Sequence, residues 1–567
     1  MSESLRLSKF KFYAGRKPGK SPTEIEPGTV VIFVGPNNSG KSLALREIEN
    51  WCFGQDTNRK VVDSMEIDCP REPEVAEALA REFETLPPPN QSTAPGTFWV
   101  GQHTFRQDEP VRNFSIDVNR LKDAASRKEL SILRQWLSAS YTVRLDGRTR
   151  FSLADPKPTG DLQYHAQNHL WALFKNDAAR ERVRKLTEDA FNLHFVIDPT
   201  AMTTFRIRMS SRPPASKSEE QGLDEAARSF HANAQLINEL SDGVQAFVGL
   251  VSAVLSLPHK IILVDEPEAF LHPPLARRLG NNLASITRER DASLVVATHS
   301  PEFVMGCLEA VGDMSVVRLT YEAGVATARA LPSDDISMMT RDPLLRSTGL
   351  LRALFHRAAV VTESDTDRAF YDEINRRLDS AHRGIRDSIF LNAQNWQTIH
   401  RVVGPLRRIG IPVAAIADLD VLEQGGTNWK NLLASCQIPA AEMDELERKR
   451  AYLAGVFSAV GEVPNQARAI KSQGLNALNT TDRTRAKALL KELSKYGAFL
   501  VPGGELESWL SRLGVPGQNA EWLINMFSRI GQTETDHNYL RPEPDDVWEF
   551  IDGIADWVND PQRLGTD

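Results

Sequence analysis

The sequence predicts an α/β protein in which two units, each built on a parallel sheet, follow one another along the chain. In the first half, the short apolar runs 29–34, 261–264 and 293–298 each end at polar residues, as buried parallel strands do. Two similar runs, Ala358–Thr362 and Val413–Ala417, repeat this pattern in the second half. We therefore expect functional side chains at the carboxyl edge of each sheet.

Composition and charge exclude several classes of protein. Hydrophobic residues make up 41% and charged residues 25% of the 567 residues, which excludes a disordered chain, a collagen and a coiled-coil rod. The longest apolar run, 248–257, is far shorter than the ~20 residues that cross a bilayer. No signal peptide is evident, so a cytoplasmic protein is expected. Four scattered cysteines without a CxxC pair argue against a disulfide framework or a structural zinc site.

The net charge of −8, from 67 basic and 75 acidic residues, argues against a generally basic nucleic-acid binder. It remains compatible with a nucleic-acid enzyme whose carboxylates hold metal ions, because the bound cations then face the phosphates.

Turn-rich segments predict the domain boundaries. Residues 332–348 interrupt the regular pattern, so we place a boundary near residue 345, with a first domain at 1–345 and a second at 350–512. Within the first domain, about residues 105–235 are predicted to form an inserted subdomain of helices and a hairpin that turns at Asp146 and Gly147. Residues 513–567 are predicted to form a C-terminal helical cap.

A glycine-rich loop between a strand and a helix predicts a nucleotide site. Residues 35–42 (GPNNSGKS) match GxxxxGK[ST] and directly follow the run 29–34. In such a loop the glycines let backbone N–H groups turn toward phosphates at a helix N-terminus. Lys41 then reaches the β- and γ-phosphates, and Ser42 holds Mg²⁺. An ordinary glycine turn is the alternative, and the flanking strand and helix disfavour it. The predicted nucleotide-binding residues of the loop are Gly35, Asn37, Asn38, Ser39, Gly40, Lys41 and Ser42.

Three further motifs accompany the loop. The run 261–264 ends at Asp265 and Glu266, which suit a Mg²⁺ ligand and a residue that orients the attacking water. The run 293–298 ends at His299, and residues 240–245 (LSDGVQ) precede an apolar helix. Each motif alone is common, because a lone histidine is more often structural and SDG is usually a helix cap. Together, in this order, they indicate one nucleotide-hydrolysing site.

This order of motifs resembles the ATP-binding-cassette (ABC) class of ATPases. Residues 35–42 are similar to Walker A, 240–245 to the signature motif, Asp265 and Glu266 to Walker B, 268–272 to the D-loop and His299 to the switch histidine. The resemblance implies two heads that enclose two ATP molecules. It also implies that Ser241 and Gly243 of one head contact the γ-phosphate held by the other.

Details of the motifs argue against two subclasses of these ATPases. LSDGVQ differs from the transporter form LSGGQ, and no membrane segment accompanies it, which argues against a transporter subunit. The roughly 200 residues between Walker A and the signature motif lack sustained heptads, which argues against the long-armed chromosome ATPases. A Q-loop glutamine is expected in this interval, and Gln102 is the candidate.

Carboxylates follow three apolar runs in the second half of the chain. Because the carboxyl ends of parallel strands meet at one sheet edge, these side chains are expected to gather there. Asp418 and Asp420 would point to the same side of an extended chain. Oxygen ligands suit Mg²⁺ or Mn²⁺, and two ions ~3.5–4 Å apart can activate water in phosphodiester cleavage. The alternative is a set of solvated acidic loops. The predicted metal ligands are Glu363, Asp367, Asp418, Asp420, Glu505 and Glu507, and Glu363, Asp418 and Asp420 are also the predicted catalytic residues, together with Glu266 and His299.

The acidic arrangement resembles a TOPRIM domain, with Glu363 as the first acid and Asp418 and Asp420 as its DxD motif. A cassette ATPase followed by a TOPRIM domain is similar to the OLD (overcoming lysogenization defect) family of ATP-dependent nucleases, whose relatives include the nuclease subunit of Gabija-type phage defence. The resemblance covers roughly residues 5–510. It implies a bacterial anti-phage DNA endonuclease that uses ATP and Mg²⁺, or Mn²⁺ in the TOPRIM site. It further implies a homodimer or higher homo-oligomer joined through the ATPase heads, with an accessory defence protein or RNA as a further partner.

The sequence departs from the TOPRIM pattern in two places. Glu363 is followed by Ser364, where the family usually has glycine. Relatives place a catalytic lysine beyond these acids, whereas no lysine follows Lys495, so Arg529, Lys491 or Lys495 would have to replace it. One alternative is an ATPase sensor or scaffold whose inactive acidic domain controls a separate effector. Another alternative is a topoisomerase- or primase-type enzyme. It would require a domain with a nucleophilic tyrosine or a nucleotidyl-transfer module, and the sequence shows neither.

Two basic surfaces are predicted to contact DNA. Lys487, Lys491 and Lys495 lie at i, i+4 and i+8 on one predicted helix face. The second surface surrounds a turn-rich loop and comprises Arg206, Arg208, Arg212 and Lys217. A solvated charged face is the alternative for both. Trp396 and Trp509 are candidates for base stacking, with core packing as the alternative.

Overall fold

The structure is a computed structural model, and it describes residues 5–55, 58–88, 90–102, 112–163, 166–322, 324–331, 335–336, 349–460 and 469–566. The chain divides into two compact units, the first of which ends at Leu331. The boundary predicted near residue 345 lies outside the described residues. Across the described ranges, no helix is both long and apolar enough to cross a membrane.

The first unit alternates strands and helices. Its strands are β1 (Arg6–Phe12), β2 (Glu24–Ile25), β3 (Val30–Val34), β4 (Val62–Asp68), β5 (Glu84–Thr85), β6 (Thr97–Gln102), β7 (Arg112–Asp117), β8 (Thr142–Leu145), β9 (Lys157–Pro158), β10 (His194–Asp198), β11 (Thr204–Ser210), β12 (Gln235–Leu236), β13 (Ile261–Asp265), β14 (Ser293–Ala297), β15 (Met314–Glu322) and β16 (Val325–Leu331). Its α-helices are α1 (Lys41–Cys52), α2 (Pro73–Arg81), α3 (Val118–Arg127), α4 (Leu130–Leu133), α5 (Ala139–Tyr141), α6 (Thr149–Ser152), α7 (His169–Lys175), α8 (Asp177–Phe191), α9 (Lys217–Gln221), α10 (Glu225–Ala232), α11 (Asp242–Ser256), α12 (Pro273–Glu289) and α13 (Pro301–Ala310).

A six-stranded sheet in the order β16-β15-β3-β14-β13-β8 forms the centre of the first unit. Neighbouring strands are parallel except for β15 and β16, which form an antiparallel hairpin at one edge. β3 and β14 are buried along their whole length, and all their residues except Ser293 are apolar, as in strands covered on both faces. Because β14 lies between β3 and β13, the carboxyl ends of these three strands are adjacent.

Smaller antiparallel sheets pack around this centre. They have the orders β2-β1-β4, β5-β6-β7 and β10-β11-β12, with β9 beside β11. Apolar side chains of β1, β4, β6 and α1 to α3 join one face of the six-stranded sheet in a single hydrophobic core. This core fixes α1, and with it the glycine-rich loop that precedes it.

The predicted hairpin at Asp146 and Gly147 is wrong. β8 instead pairs in parallel with β13 and forms the edge of the six-stranded sheet. Asp146 Oδ1 accepts hydrogen bonds from the backbone N–H groups of Arg148 and Thr149 at 3.0 and 3.2 Å, and α6 follows at once. The chain therefore turns into a helix, because the partner strand of β8 lies much further along the sequence.

The second unit is built on a four-stranded parallel sheet in the order β18-β17-β19-β20. Its strands are β17 (Ala358–Thr362), β18 (Ser388–Asn392), β19 (Val413–Ala417) and β20 (Ala498–Leu500). Its α-helices are α14 (Asp365–Ser380), α15 (Trp396–Arg408), α16 (Thr427–Ser435), α17 (Ala440–Val460), α18 (Ala469–Gln473), α19 (Thr480–Ser494), α20 (Asn519–Ile530) and α21 (Asp546–Asn559).

The last two helices belong to the core of the second unit. Trp522 of α20 and Trp548 of α21 lie in one hydrophobic cluster with Val360 of β17. The buried Arg377 of α14 also donates a hydrogen bond to the carbonyl oxygen of Ile530, at the end of α20, over 3.1 Å. These helices therefore pack on the sheet from which the acidic residues project.

Candidate functional site

The nucleotide-binding candidates lie at the carboxyl edge of the six-stranded sheet. β3 leads into residues 35–42 and then α1, β13 ends at Asp265, and β14 is followed by Thr298 and His299. The adjacency of β3, β14 and β13 brings these segments to one place. Parallel α/β sheets bind ligands at this edge.

The loop adopts a glycine-dependent backbone. Gly35 and Gly40 have φ angles of 139° and 94°, a region that residues with a side chain rarely occupy. Gly40 caps α1, whose first residue, Lys41, is buried and places Nζ 3.4 Å from Ser39 Oγ. The loop thus presents the start of a helix, where unsatisfied N–H groups favour an anion.

Ser42 and Asp265 meet beside this loop. Ser42 Oγ donates a hydrogen bond to Asp265 Oδ1 over 3.0 Å. Burial raises the pKa of Asp265, and the Ser42 hydroxyl opposes that rise. A hydroxyl and a carboxylate in contact form a suitable donor pair for Mg²⁺, which prefers oxygen ligands. Asn37 and Asn38 are exposed on the loop.

The turn after β13 carries Glu266 in a left-handed conformation. Its φ angle is 50°, and its N–H donates to Ala297 O of β14 over 2.8 Å. Glu268 Oε1 accepts a hydrogen bond from the backbone N–H of His299 over 2.7 Å, and burial raises the pKa of Glu268. Direct hydrogen bonds therefore join the turn after β13 to the end of β14.

The signature-like segment begins α11. Ser241 is its exposed N-cap residue. Gly243 packs against the turn after β13, since a Cβ at this position would lie 2.9 Å from Phe270 O. Phe270 has a φ angle of 69°, and 55% of its surface is exposed. This segment therefore lies on the surface, as contact with a second copy requires.

The predicted Q-loop residue lies in another sheet. Gln102 ends β6 in the antiparallel sheet β5-β6-β7, and its side chain lies outside the described residues. The strand next to β13 is β8, and Asp146 follows it. Asp146 pairs with Arg144 at 3.0 Å, and its negative charge contributes to the raised pKa of Asp265.

In the second unit, the predicted acids gather at the carboxyl edge of the four-stranded sheet. Glu363 follows β17, and Asp418 follows the neighbouring β19. Glu363 Oε1 accepts a hydrogen bond from the backbone N–H of Asp418 over 2.7 Å. Asp367 completes a capping box at the start of α14, where its carboxylate accepts the Ser364 N–H over 2.9 Å.

Asp420 reaches this edge by a route other than the predicted one. The chain does not stay extended after β19, because a 3₁₀ helix spans Leu419–Glu423. Leu419 is fully buried, and its N–H donates to Gly504 O over 2.8 Å. The prediction that Asp418 and Asp420 point to the same side of an extended chain is therefore wrong. They are nevertheless close enough for the charge of Asp420 to raise the pKa of Asp418.

Burial and repulsion by neighbouring acids raise the pKa values of Glu363, Asp367, Asp418 and Glu505. For Glu363 and Asp418, burial is the largest cause, and the charges of neighbouring acids add to it. Burial also raises the pKa values of Asp367 and Glu505, and in both cases the charge of Glu507 adds to the rise. The acids therefore share one negative environment, which a divalent cation would relieve.

A lysine that no sequence motif marks supplies positive charge to this cluster. Lys471 of α18 places Nζ 3.1 Å from Asp420 Oδ2. Its charge also lowers the pKa values of Glu363 and Asp418. Lys471 precedes the third acidic segment, whereas the family pattern directs attention to residues beyond it. The three expected replacements are exposed, and none of them is among the charges that shift the pKa values of Glu363 and Asp418: Arg529, Lys491 and Lys495.

Close main-chain packing holds Lys471 beside the acids. Gly504 has a φ angle of 113°, and a Cβ there would lie 2.1 Å from Lys471 O. Gly474 has a φ angle of 54°, and a Cβ there would lie 2.3 Å from Pro502 O. Helix α18 and the turn after β20 therefore fit together only when both positions lack a side chain.

The chemistry of the donor set fits a hard divalent cation, although the side chains are not arranged as its ligands. Among the described residues, no three His, Cys, Asp or Glu side chains are placed to hold one ion. Glu363 accepts a hydrogen bond from the Asp418 N–H, and Glu507 accepts one from the first N–H of α20. Asp420 forms an ion pair with Lys471. Side-chain rotation and release of Lys471 would have to precede coordination.

A family model described as "AAA domain, putative AbiEii toxin, Type IV TA system" matches residues 30–305. This range contains the glycine-rich loop, the turn after β13, the signature-like segment and His299. Residues 30–305 form a P-loop ATPase domain. The match ends at residue 305 and does not reach the four-stranded sheet, so the resemblance of residues 350–512 to a TOPRIM domain stays a prediction.

Curated ATP-binding proteins are similar to part of the chain. The lipoprotein-releasing system ATP-binding protein LolD 2 of Chlorobaculum tepidum is 32% identical over 140 residues, which cover 23% of this chain and 54% of the relative. The methionine import ATP-binding protein MetN of Caulobacter vibrioides is 26% identical over 160 residues, which cover 28% and 47%. The chain thus spans about half the length of the curated relatives that it matches, and their transport functions are not carried over.

Solved structures of SMC heads also match. The SMC head domain from Thermotoga maritima covers 58% of this chain and 99% of its own length, with 15% identity and a TM-score of 0.28. An SMC head bound to the C-winged helix domain of ScpA covers 59% and 99%, with 12% identity and a TM-score of 0.32. At these TM-scores the likeness supports no further argument.

The basic surface predicted within the ATPase domain forms ion pairs with carboxylates. Arg206 and Arg208 both bind the buried Asp198 Oδ2, at 2.7 and 2.6 Å. The other two cations are also paired, Arg212 with Glu219 and Lys217 with Asp177. Each of the four cations is therefore already paired with a carboxylate, and this surface stays a predicted DNA contact.

The other predicted DNA surface lies in the second unit. Lys487 and Lys491 of α19, and Lys495 just beyond it, are exposed, so this face stays a predicted DNA contact. Trp396 and Trp509 are buried, and Trp509 Nε1 donates to the Tyr371 hydroxyl over 2.9 Å. Both tryptophans therefore pack in the core and do not offer a face for base stacking.

Proposed function

We propose that this chain is an ATP-regulated, divalent-metal-dependent DNA endonuclease, similar to the OLD family and active in bacterial anti-phage defence. The observation that carries the proposal is the gathering of Glu363, Asp418 and Asp420 at one sheet edge together with Lys471. A bound divalent cation would supply an activated water and stabilise the leaving oxygen. The chain contributes a partly buried set of carboxylate oxygens and a lysine whose charge can meet a phosphate.

In the ATPase domain, the proposed roles of the residues follow from their positions at the edge of the six-stranded sheet. Lys41 and the loop N–H groups bind the nucleotide phosphates, and Ser42 and Asp265 hold Mg²⁺. Glu266 orients the attacking water, and His299 stands beside it at the end of the adjacent strand. These roles are supported by the contact between Ser42 and Asp265 and by the hydrogen bonds that join the ends of β13 and β14.

The proposed assembly is a homodimer or higher homo-oligomer formed through the ATPase heads. Its support is the exposed position of Ser241, the N-cap residue of α11. A role in defence is supported by the description of the matching family model, which names a putative toxin of a type IV toxin–antitoxin system. An accessory defence protein or RNA is a further proposed partner.

A second candidate function is an ATPase sensor or scaffold that controls a separate effector. The arrangement of the acids favours it. Within the described part of the chain, no three candidate ligands are placed to hold one ion, and Lys471 forms an ion pair with Asp420. If this pairing is permanent, the acidic edge is structural. The two candidates therefore differ in whether a divalent cation can replace the lysine.

Cleavage of supercoiled plasmid in Mg²⁺ or Mn²⁺, with and without ATP, separates these candidates. The wild type should nick the plasmid, and Asp418→Asn should not. The matched control is Asp365→Asn, which removes an exposed carboxylate paired with Arg368 near the same strand end and should cleave like the wild type. A wild type that hydrolyses ATP but cuts no tested DNA in either metal would support the scaffold. Lys41→Ala then shows whether bound ATP licenses or restrains cleavage.

A further inference from the structure

Arg150 lies directly behind the turn that carries Glu266. It belongs to α6, the short helix after the edge strand β8, and only 1% of its surface is exposed. Its main chain packs closely on α11, since a Cβ at Gly249 would lie 3.0 Å from Arg150 O. The backbone of Arg150 is therefore fixed against the helix that begins with the signature-like segment.

The Arg150 guanidinium donates hydrogen bonds to main-chain carbonyls of the turn. Nη2 donates to Asp265 O over 2.7 Å and to Glu266 O, and Nη1 donates to Ala269 O over 3.4 Å. These carbonyls bracket the segment that carries Glu266 and Glu268. A planar guanidinium has five N–H donors in a fixed arrangement, so it can hold several acceptors in one relative geometry.

The backbone of this turn requires such support. A left-handed conformation is unfavourable for a residue with a side chain, and both Glu266 and Phe270 adopt it. The N–H of Glu266 is held by Ala297 O, and its carbonyl oxygen is held by Arg150. Without the guanidinium, the carbonyl side of the turn would lose its donor and could relax toward a less strained conformation.

The charge of Arg150 matches its surroundings. Burial lowers the pKa of Arg150, and the negative charges of Glu268, Glu266 and Asp265 oppose this effect. A buried cation among these acids offsets their mutual repulsion. Loss of the cation would therefore disturb the same turn electrostatically as well as sterically.

We infer that Arg150 is a positioning residue for Glu266: it holds the main chain from Asp265 to Ala269 so that the Glu266 carboxylate faces the nucleotide loop. The inference rests on the proposed role of Glu266 in ATP hydrolysis. Arg150 is buried behind the turn, whereas the loop that grips the phosphates is held by β3 and α1. Its loss should therefore lower the rate of hydrolysis and leave nucleotide affinity unchanged.

The test compares Arg150→Met and Arg150→Lys with a matched control, Arg290→Met. Arg290 also donates to three main-chain carbonyls, those of Val254, Leu255 and Leu257 at the end of α11, but it does not touch the turn that carries Glu266. Arg150→Met should lower kcat about 100-fold, because a small misplacement of a reacting group costs that much. KM and the Kd of a fluorescent ATP analogue should stay at the wild-type values. Arg150→Lys should be intermediate, and Arg290→Met should lower Tm without lowering kcat.

Amide hydrogen exchange of the nucleotide-free protein gives a readout that does not depend on activity. Arg150→Met should speed exchange at residues 266–271 selectively, and Arg290→Met should not. Wild-type kcat in both Arg150 variants, or a loss of kcat that parallels the loss of nucleotide affinity, would overturn the inference. If Arg150→Met does not fold, Arg150→Lys decides by the same criteria. A wild type that binds but never hydrolyses ATP would overturn the proposed ATPase activity itself, which is a separate result from unaffected Arg150 variants.

Discussion

Lys471 Nζ lies 3.1 Å from Asp420 Oδ2, so the positive charge nearest this carboxylate comes from the chain itself. A divalent cation bound by Asp420 would have to compete with this lysine. The proposed metal site therefore predicts a second arrangement beside the observed one: Lys471 neutralises Asp420 in the structure, and a bound metal ion would take its place. In the second arrangement the displaced ammonium group becomes available to a substrate phosphate.

We predict that Lys471→Met tightens Mn²⁺ binding and abolishes DNA cleavage. A partly exposed ion pair contributes about 1 kcal/mol, so removing the competitor should raise the affinity roughly fivefold. Titration calorimetry without nucleotide measures it, and Asp418→Asn shows the binding that remains at other sites. Lys487→Met, which removes an exposed lysine of α19, is the control. Unchanged or weaker Mn²⁺ binding in Lys471→Met would contradict the competition.

We predict that the metal-free protein loses stability as pH rises above the ordinary carboxyl range. Burial and neighbouring acids raise the pKa values of Glu363 and Asp418 in the folded protein, so the folded state keeps protons that the unfolded state has released. Their stabilising contribution is complete below the unfolded pKa values and is lost as pH rises through the folded ones. Thermal unfolding from about pH 5 to about pH 8 should show this loss, and Asp418→Asn should reduce it. Equal pH dependence in the two proteins would refute the assignment.

Local sequence patterns predicted the strands and the residues at their ends, because a short apolar run that ends in polar residues is nearly sufficient to define a buried parallel strand. The family match confirms the P-loop ATPase domain in residues 30–305. The glycine-rich loop can also be recognised from the local sequence, because the φ angles at positions 35 and 40 favour glycine at both positions.

What the sequence did not reveal depends on distant partners. Asp146 and Gly147 predict a hairpin because they favour a turn, yet the partner of Thr142–Leu145 is the distant strand β13. Asp420 was expected on an extended chain, but burial of Leu419 favours a 3₁₀ turn there. Lys471 approaches the acids only through tertiary packing, which no local motif encodes.

We predict that Glu266→Gln binds ATP but hydrolyses it about 100-fold more slowly, as expected for loss of a general base. ATP should then hold the chain as a stable dimer, which light scattering after size exclusion would detect. Ser241→Arg in the same background should prevent this dimer without preventing nucleotide binding, because Ser241 lies exposed at the start of α11. Lys41→Ala should lose nucleotide binding itself. A Glu266→Gln protein that stays monomeric with bound ATP would refute assembly through the heads.

We predict that Gly504→Ala abolishes DNA cleavage as Lys471→Met does, although it substitutes neither the lysine nor any of the acids. The added Cβ would lie 2.1 Å from Lys471 O, at a φ angle of 113°, so α18 must shift or the turn after β20 must rearrange. The cost should be about 2 kcal/mol in the free energy of unfolding, measured by urea denaturation.

The control is Gly553→Ala in α21, where a Cβ meets no atom within 4 Å and alanine favours a helix, so stability should rise slightly. If Gly504→Ala is destabilised but cleaves DNA at the wild-type rate under folded conditions, then the position of Lys471 does not limit cleavage. In that case the lysine serves only to neutralise the acids, and its two proposed roles separate.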